Sequence, residues 1–225
     1  MKFKSFIIHM CLYFFICITA SHAMESQVMV TNVTGTQFTI SWVTENNCIG
    51  KIMLYDHRLF FIETFTDDRD KKFNGDTHHV SISGLSCNTD YAFSVISGDQ
   101  EDNNNGQFYT VSTGKNIIPT GSFQPAGQIF LKDKKTAAAN AIVYIVISND
   151  EKQSAPLSTI VDQNGYWYTE LVNARTKDNL HLFNISTSSV LSVLIEAGKR
   201  GTASMELMAK DNNGGKSLYE PFFLR

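Results

Sequence analysis

Residues 77–99, THHVSISGLSCNTDYAFSVISGD, contain two short runs of alternating apolar residues separated by a turn. The apolar positions are Val80, Ile82, Leu85, Tyr91, Phe93 and Val95. Alternation with a period of two is typical of half-buried β-strands. The same stretch holds two adjacent histidines, a cysteine and two aspartates, so a metal or catalytic site has to be weighed against a pair of strands.

Alternating runs of the same kind recur along the whole chain, with Gly, Asn or Asp between them. Phe38, Ile40 and Trp42 alternate with polar residues, and residues 142–147 form a β-branched run suited to a central strand. No long amphipathic helix is predicted. The pattern therefore predicts an all-β fold of two tandem immunoglobulin-like β-sandwich domains that follow an N-terminal signal peptide.

Residues 1–23, MKFKSFIIHMCLYFFICITASHA, have the organisation of a secretory signal peptide. Two lysines form a basic start, residues 6–18 are largely apolar, and small residues stand at the two positions that a signal peptidase reads. The apolar run is too short to span a membrane comfortably. We therefore expect a mature protein that begins near Met24 and is secreted, periplasmic or at the cell surface.

The other residues suit two sandwich domains of about 100 residues each. A segment rich in Pro and Gly, GKNIIPTGSFQP at 114–125, predicts a boundary. The expected units are 24–114, a linker at 115–126, and 127–225. Loss of the signal peptide removes two lysines, so the net charge falls from −3 to −5. No basic cluster stands out, and we expect no nucleic-acid partner.

The first unit, residues 28–113, resembles a fibronectin type III domain of the kind common in exported bacterial proteins. Trp42 stands where that family has its core tryptophan on the second strand. Leu85 followed by Asn88-Thr89-x-Tyr91 matches the family's tyrosine corner, whose hydroxyl bonds backbone just upstream. Cys87 stands where the family usually has proline. The resemblance implies that the chain turns at residues 46–49 between its second and third strands.

The second unit is similar to carboxypeptidase regulatory-like, or prealbumin-like, β-sandwich modules. GQIFLKDKKTAAANAIVYIVI resembles their opening pair of strands, and LSTIVDQNGYWYTEL resembles their hairpin, with Asp162, Gly165 and Trp167 at the matching places. The proline usual before the second strand is absent. Since each unit is expected to have its own core, we expect the two to unfold separately.

His78 and His79 are neighbours on a predicted strand, so their side chains point to opposite faces and cannot share one metal. The sequence therefore predicts surface or edge histidines. Cys11 and Cys17 fall in the signal peptide, which leaves Cys48 and Cys87. Fibronectin topology puts these two thiols at opposite poles, beyond disulfide reach, whereas two cysteines in an exported domain ordinarily pair. The prediction favours free thiols.

Two loops are rich in oxygen ligands: residues 99–106, DQEDNNNG, and residues 210–215, KDNNGG. Calcium binds oxygen ligands in flexible loops, but neither loop has EF-hand spacing, and Asn, Asp and Gly also favour turns. No cofactor is expected, and weak calcium binding is kept as an alternative.

No nucleophile–base pair, phosphate loop or paired-carboxylate signature is present, so we predict that the chain is not an enzyme. The favoured hypothesis is a secreted or cell-surface binding or structural protein whose partner is an extracellular protein or polysaccharide. The alternative is an accessory protein of an extracellular hydrolase or secretion system. Loops at one pole of the first sandwich form the candidate interaction surface. Its residues are Asn46, Asn47, Asp70, Asp76, Asp99, Asp102 and Asn104.

Overall fold

The computed structural model describes residues 28–150, 152–209 and 218–225. Their regular structure is β apart from two short 3₁₀ helices, Leu171–Asn173 and Gly198–Arg200, so the predicted all-β sandwich class is confirmed. Within these ranges no helix has the length and apolar character to span a bilayer. Residues 1–23, which are predicted to be a signal peptide, lie outside the described ranges, and so does the loop at residues 210–215. The strands are β1 Met29–Thr31, β2 Gln37–Asp56, β3 Phe61–Thr66, β4 Asn74–Ser83, β5 Asp90–Ser97, β6 Gln100–Asp102, β7 Tyr109–Ser112, β8 Ala126–Phe130, β9 Ile142–Asn149, β10 Lys152–Gln153, β11 Leu157–Ile160, β12 Tyr166–Tyr168, β13 Val190–Glu196, β14 Thr202–Met208 and β15 Phe222–Phe223.

The first sandwich is built around β2, a continuous strand of 20 residues. Its first half pairs with β1 and β4, and its second half pairs with β3 and β5. β5 then pairs with β6 and β7. Two sheets result, β1-β2-β4 and β3-β2-β5-β6/β7, and this is the strand arrangement of a fibronectin type III sandwich.

The turn expected at residues 46–49 is wrong, because these residues lie inside β2. The pairing of β2 with β4 shifts register between Val43 and Cys48. A bulge of this kind bends a strand while keeping it extended. The chain therefore passes from one sheet to the other without a loop.

Alternating side chains of β2 and β5 fill the core between the two sheets. Phe38, Trp42 and Phe93 are almost fully buried there, and the Phe38 and Phe93 rings lie 6.5 Å apart. Where the chain enters β5, the Tyr91 hydroxyl accepts a 3.0 Å hydrogen bond from the backbone N–H of Ser86. Leu85 packs against this core from the same turn. The corner therefore ties the entry of β5 to the chain just upstream.

The second sandwich has one sheet in which β9 is central, flanked by β13-β14 on one side and by β10 and β11 on the other. Its smaller sheet has the order β12-β8-β15, with β15 parallel to β8. The predicted central run at 142–147 lies in β9, where Ile145 and Ile147 are fully buried. A second, separate hydrophobic core fills the space between these sheets.

Residues 162–165 form a tight turn that carries the chain from β11 in one sheet to β12 in the other, not a hairpin within one sheet. The Asp162 carboxylate accepts hydrogen bonds from the N–H groups of Asn164 and Tyr166. Gly165 has φ 87°, and a Cβ there would lie 2.7 Å from the carbonyl oxygen of Ile129. This turn delivers Trp167 to the core, where its ring stacks on Tyr219 at 6.5 Å.

Candidate functional site

Part of the predicted pole assembles at the end of the first sandwich where Cys48 lies. Asn46 and Asn47 are exposed on β2, Asp76 is on β4, and Asp99 is in the turn after β5. The second sandwich covers some of this end. The backbone N–H of Lys199 donates to the Asp76 carboxylate at 2.9 Å, and its ammonium group donates to the Asn46 side chain at 3.2 Å.

The other predicted residues lie along the sides of the sandwich. Asp70 belongs to a segment that runs beside β4, where the N–H of Asp68 donates to the carbonyl of His79. Asp102 lies in β6, opposite Val95 of β5, and its carboxylate accepts from the N–H of Asn104 and from the Tyr109 hydroxyl. The candidate surface is thus divided between an end and two sides. Its role in binding stays a prediction.

The two histidines do point to opposite faces of β4, but the expectation that they lie at the surface is wrong. His78 is 0% exposed and His79 is 4% exposed. His78 points into the first core, whereas His79 faces the second sandwich. Its Nε2 lies 2.9 Å from the hydroxyl of Ser158.

His78 lies in a cluster with Trp42, Thr44 and Cys48. Its ring stacks on the Trp42 indole at 4.8 Å, and its Nε2 is 3.4 Å from the Cys48 Sγ and 3.3 Å from the Thr44 Oγ1. Gly50 provides the space, since a Cβ there would lie 2.4 Å from the imidazole. Burial is the main cause that lowers the pKa of His78 to about 4. A neutral imidazole does not form the ion pair that activates a catalytic thiolate, so this geometry favours packing over nucleophilic chemistry.

Acid should destabilise the protein through His78. Its folded-state pKa of about 4 lies below the ordinary 6.5, so the unfolded chain binds this proton first. The stability contribution of the neutral imidazole is complete above pH 6.5 and is lost as the pH falls to about 4. At about 1.36 kcal/mol per pKa unit, the loss is about 3 kcal/mol. Urea titrations across this range, with an NMR titration of the imidazole, check it. A His78 resonance that titrates near its ordinary pKa would contradict the prediction.

Cys48 and Cys87 are free, at opposite ends of the first sandwich. A Cβ on Gly98, just past the end of β5, would lie 3.7 Å from that of Cys48, whereas Cys87 lies before the start of β5. β5 has eight residues, a length of about 23 Å at about 3.3 Å per residue. A disulfide needs Cα atoms within about 7 Å.

A thiol titration of the denatured, unreduced protein is therefore expected to find both thiols. In the folded protein Cys87, which is exposed, should react faster than the half-buried Cys48. A chain with no free thiol and a mass lower by two hydrogens would show that the strands connect differently. A covalent dimer would leave the fold intact and indicate an intermolecular contact.

The feature that sequence reasoning missed is a buried polar interface between the two sandwiches. Asn32 and Ser158 lie at its centre. The Asn32 side chain accepts from the Ser158 N–H at 2.9 Å and donates to its carbonyl at 2.9 Å. The Ser158 hydroxyl also lies 2.6 Å from that of Thr31 and within reach of His79. Asn32, Thr31 and His79 thus each have a polar partner, Ser158, on the other sandwich.

His79 also contacts the carboxylate of Asp68, which belongs to the same sandwich as the histidine. Its Nδ1 lies 2.7 Å from Asp68, which in addition accepts hydrogen bonds from the N–H and hydroxyl of Ser81. Burial raises the pKa of Asp68, but these hydrogen bonds outweigh burial and hold the pKa below its ordinary value. The chain Asp68–His79–Ser158 therefore links the two sandwiches through a fixed imidazole.

Two further contacts extend the interface. The Tyr144 hydroxyl of β9 lies 2.9 Å from that of Ser41, and burial raises the pKa of Tyr144 to about 12. Arg69 forms a two-pronged ion pair with Asp67, with both N–O distances 2.7 Å, and donates to the carbonyl of Asn140 at 3.1 Å. Hydrogen bonds at several separate places fix the orientation of the sandwiches.

A signal for this interface is present in the sequence. The outward positions of β1, β2 and β4 carry short hydroxyl side chains and a histidine, without the Lys and Glu that commonly cover a solvated sheet face. These positions are Thr31, Thr39, Ser41, Thr77, His79 and Ser81.

A groove of about 790 Å³ runs beside the interface. The first sandwich contributes Met29 and Val111 to its wall, and the second contributes Ala155 and Asn179. The exposed tip of the β2–β3 hairpin, residues 59–62, is apolar, and Phe60 is 64% exposed. Within the described ranges no group of three or more His, Cys, Asp or Glu side chains is placed to hold a metal ion.

No family model and no curated protein matches the chain. The two-domain fibronectin type III segment of chicken tenascin is 10% identical with a TM-score of 0.29, covering 81% of this chain and 98% of that one. The FN1–FN3 domains of chicken CNTN1 are 9% identical with a TM-score of 0.27, covering 81% and 64%. Trypsin-activated alpha-2-macroglobulin from Escherichia coli is 11% identical with a TM-score of 0.27, covering 79% and 15%. The fibronectin type III-like arrangement of the first sandwich rests on the pairing of its strands and not on these likenesses.

Proposed function

We propose that the chain is an exported, non-catalytic protein in which two sandwiches form one rigid unit for binding or surface structure. In this proposal the first is a fibronectin type III domain of bacterial type and the second a carboxypeptidase regulatory-like module. The partner is an extracellular protein or polysaccharide.

One observation carries the proposal: the hydrogen bonds of Asn32, His79 and Tyr144 across the interface. Relative motion is the ordinary expectation for tandem domains with small polar contacts. Here motion would leave buried polar groups without partners, at about 1–3 kcal/mol for each. A fixed orientation keeps the exposed loops and strand edges of both sandwiches in one geometry, which suits binding or assembly.

The exposed part of the predicted pole supports a binding role. Asn47 and Asp99 remain exposed, and the apolar hairpin tip at residues 59–62 lies on the same sandwich. Contiguous exposed apolar residues on a soluble domain commonly mark an interaction surface. The half-buried thiol of Cys48 faces a neutral imidazole, which does not support a catalytic function.

Two measurements test this proposal. Mass spectrometry of protein from the native host should find an N-terminus near Met24 in the extracellular or periplasmic fraction, and an intact Met1 in the cytoplasm would contradict export. Small-angle scattering of the mature protein should fit a single arrangement of the two sandwiches. A spread of interdomain arrangements would contradict the rigid unit.

A further inference from the structure

Arg175 is a buried cation for which the described residues provide no counter-charge. It follows the 3₁₀ helix Leu171–Asn173 and is 2% exposed. Its Nη2 makes one long hydrogen bond, 3.4 Å, to the carbonyl of Ile117, whereas Nε and Nη1 are buried with no partner among the described residues. The ion pairs in those ranges are Arg58–Asp56, Arg69–Asp67 and His79–Asp68, and none includes Arg175.

Arg175 is one of the residues that line a small cavity where three segments meet. They are the turn at residues 34–37 between β1 and β2, the linker at Asn116 and Ile117, and the 3₁₀ helix with Asn173. The cavity volume is about 160 Å³, several times the share of one water molecule in the liquid, about 30 Å³. Its lining is rich in hydroxyl and amide groups, among them Thr34 and Thr36.

Such a charge is costly unless something neutralises it. Arginine stays protonated in proteins, so it cannot escape the cost of burial by losing its proton. A buried ion needs a partner of opposite charge, and a guanidinium offers a planar set of donors that fits a carboxylate or phosphate with two hydrogen bonds. Water could bond the free N–H groups but would leave the charge uncompensated.

We propose that this cavity binds a small oxyanion, a phosphate, sulfate or carboxylate group, between Arg175 and the hydroxyl and amide groups of the linker junction. The bound anion joins the linker to both sandwiches, because each of the three segments lines the cavity. Gly35 makes the junction compact, since a Cβ there would lie 2.7 Å from the backbone of Asn116. None of the residues that line the cavity belongs to the predicted pole.

The test adds sodium phosphate, sulfate or acetate to the mature protein, with ionic strength held constant by sodium chloride. Thermal unfolding and titration calorimetry are the measurements. At a concentration about 100 times the Kd, a bound anion shifts the folding equilibrium about 100-fold towards the folded state. A response to phosphate and sulfate alone identifies a tetrahedral ligand, and a response to acetate identifies a carboxylate.

Arg175→Met should abolish the response and should unfold no more easily than the wild type without anion, since it removes an unpaired buried charge. Arg58→Met is the matched control, because the Arg58 side chain is 67% exposed, and it should respond like the wild type. If Arg175→Met does not fold, Thr36→Val is measured in its place, and we expect it to bind the anions more weakly than the wild type. The proposal is overturned if no anion exceeds chloride, or if the variant that tests the cavity responds like the wild type.

Discussion

Trp42→Ala is expected to lower the free energy of unfolding by about 3–5 kcal/mol, as truncation of a core aromatic residue does. The indole is 1% exposed, stacks on His78, and donates from Nε1 to the hydroxyl of Ser97 at 3.0 Å. Its removal leaves a cavity beside an imidazole whose Nδ1 already lacks a partner in the described structure. Urea denaturation followed by circular dichroism measures the loss.

This variant also tests how the two sandwiches are coupled, because each contains one of the two tryptophans. With Trp42 removed, fluorescence reports Trp167 in the second sandwich alone. Two separate cores predict that this signal is unaffected, whereas the buried interface predicts that the second sandwich also loses stability. Phe60→Ala is the control, since Phe60 is 64% exposed and its truncation should cost less than about 0.5 kcal/mol. An unchanged Trp167 transition would rule out coupling.

Asn32→Ala is expected to cost about 3–5 kcal/mol and to separate the unfolding of the two sandwiches. The change removes the side chain that bonds both the N–H and the carbonyl of Ser158, and each buried group left unpaired costs about 1–3 kcal/mol. It also places alanine at φ 53°, a left-handed conformation that costs alanine about 1–2 kcal/mol. Differential scanning calorimetry should resolve two transitions for the variant, and a single transition is expected for the wild type because the interface couples the two sandwiches.

Asn104→Ala is the matched control. Asn104 has the same φ of 53° but lies in a turn of the first sandwich, where its side chain makes one 3.4 Å hydrogen bond to the carbonyl of Phe108. This variant carries the backbone strain without the loss of interface contacts. Equal losses for the two variants would show that strain alone explains the effect of Asn32→Ala.

The sequence predicted the burial of side chains correctly where the alternation of apolar and polar residues along a strand is enough to decide it. The alternation of Phe38, Ile40 and Trp42 is reproduced as a buried row of β2, and the all-β class followed from many such runs. The turn that the family resemblance implied at residues 46–49 is absent, because a bulge keeps the strand continuous there. A turn and a bent strand both tolerate polar residues such as Asn46 and Asn47, so composition does not separate them.

The sequence by itself determined the strands, the inward row of Trp42 and the tyrosine corner, because a period of two and a turn motif are local properties of the chain. Only the tertiary structure decided that the outward face of β1, β2 and β4 is buried. His79 contacts Ser158, which is 79 positions away along the chain, and Asn32 contacts the same serine over a separation of 126 positions. The absence of Lys and Glu along this face indicates that it is covered, but it does not identify the segment that packs there. The environment of the face depends on which distant segment folds against it.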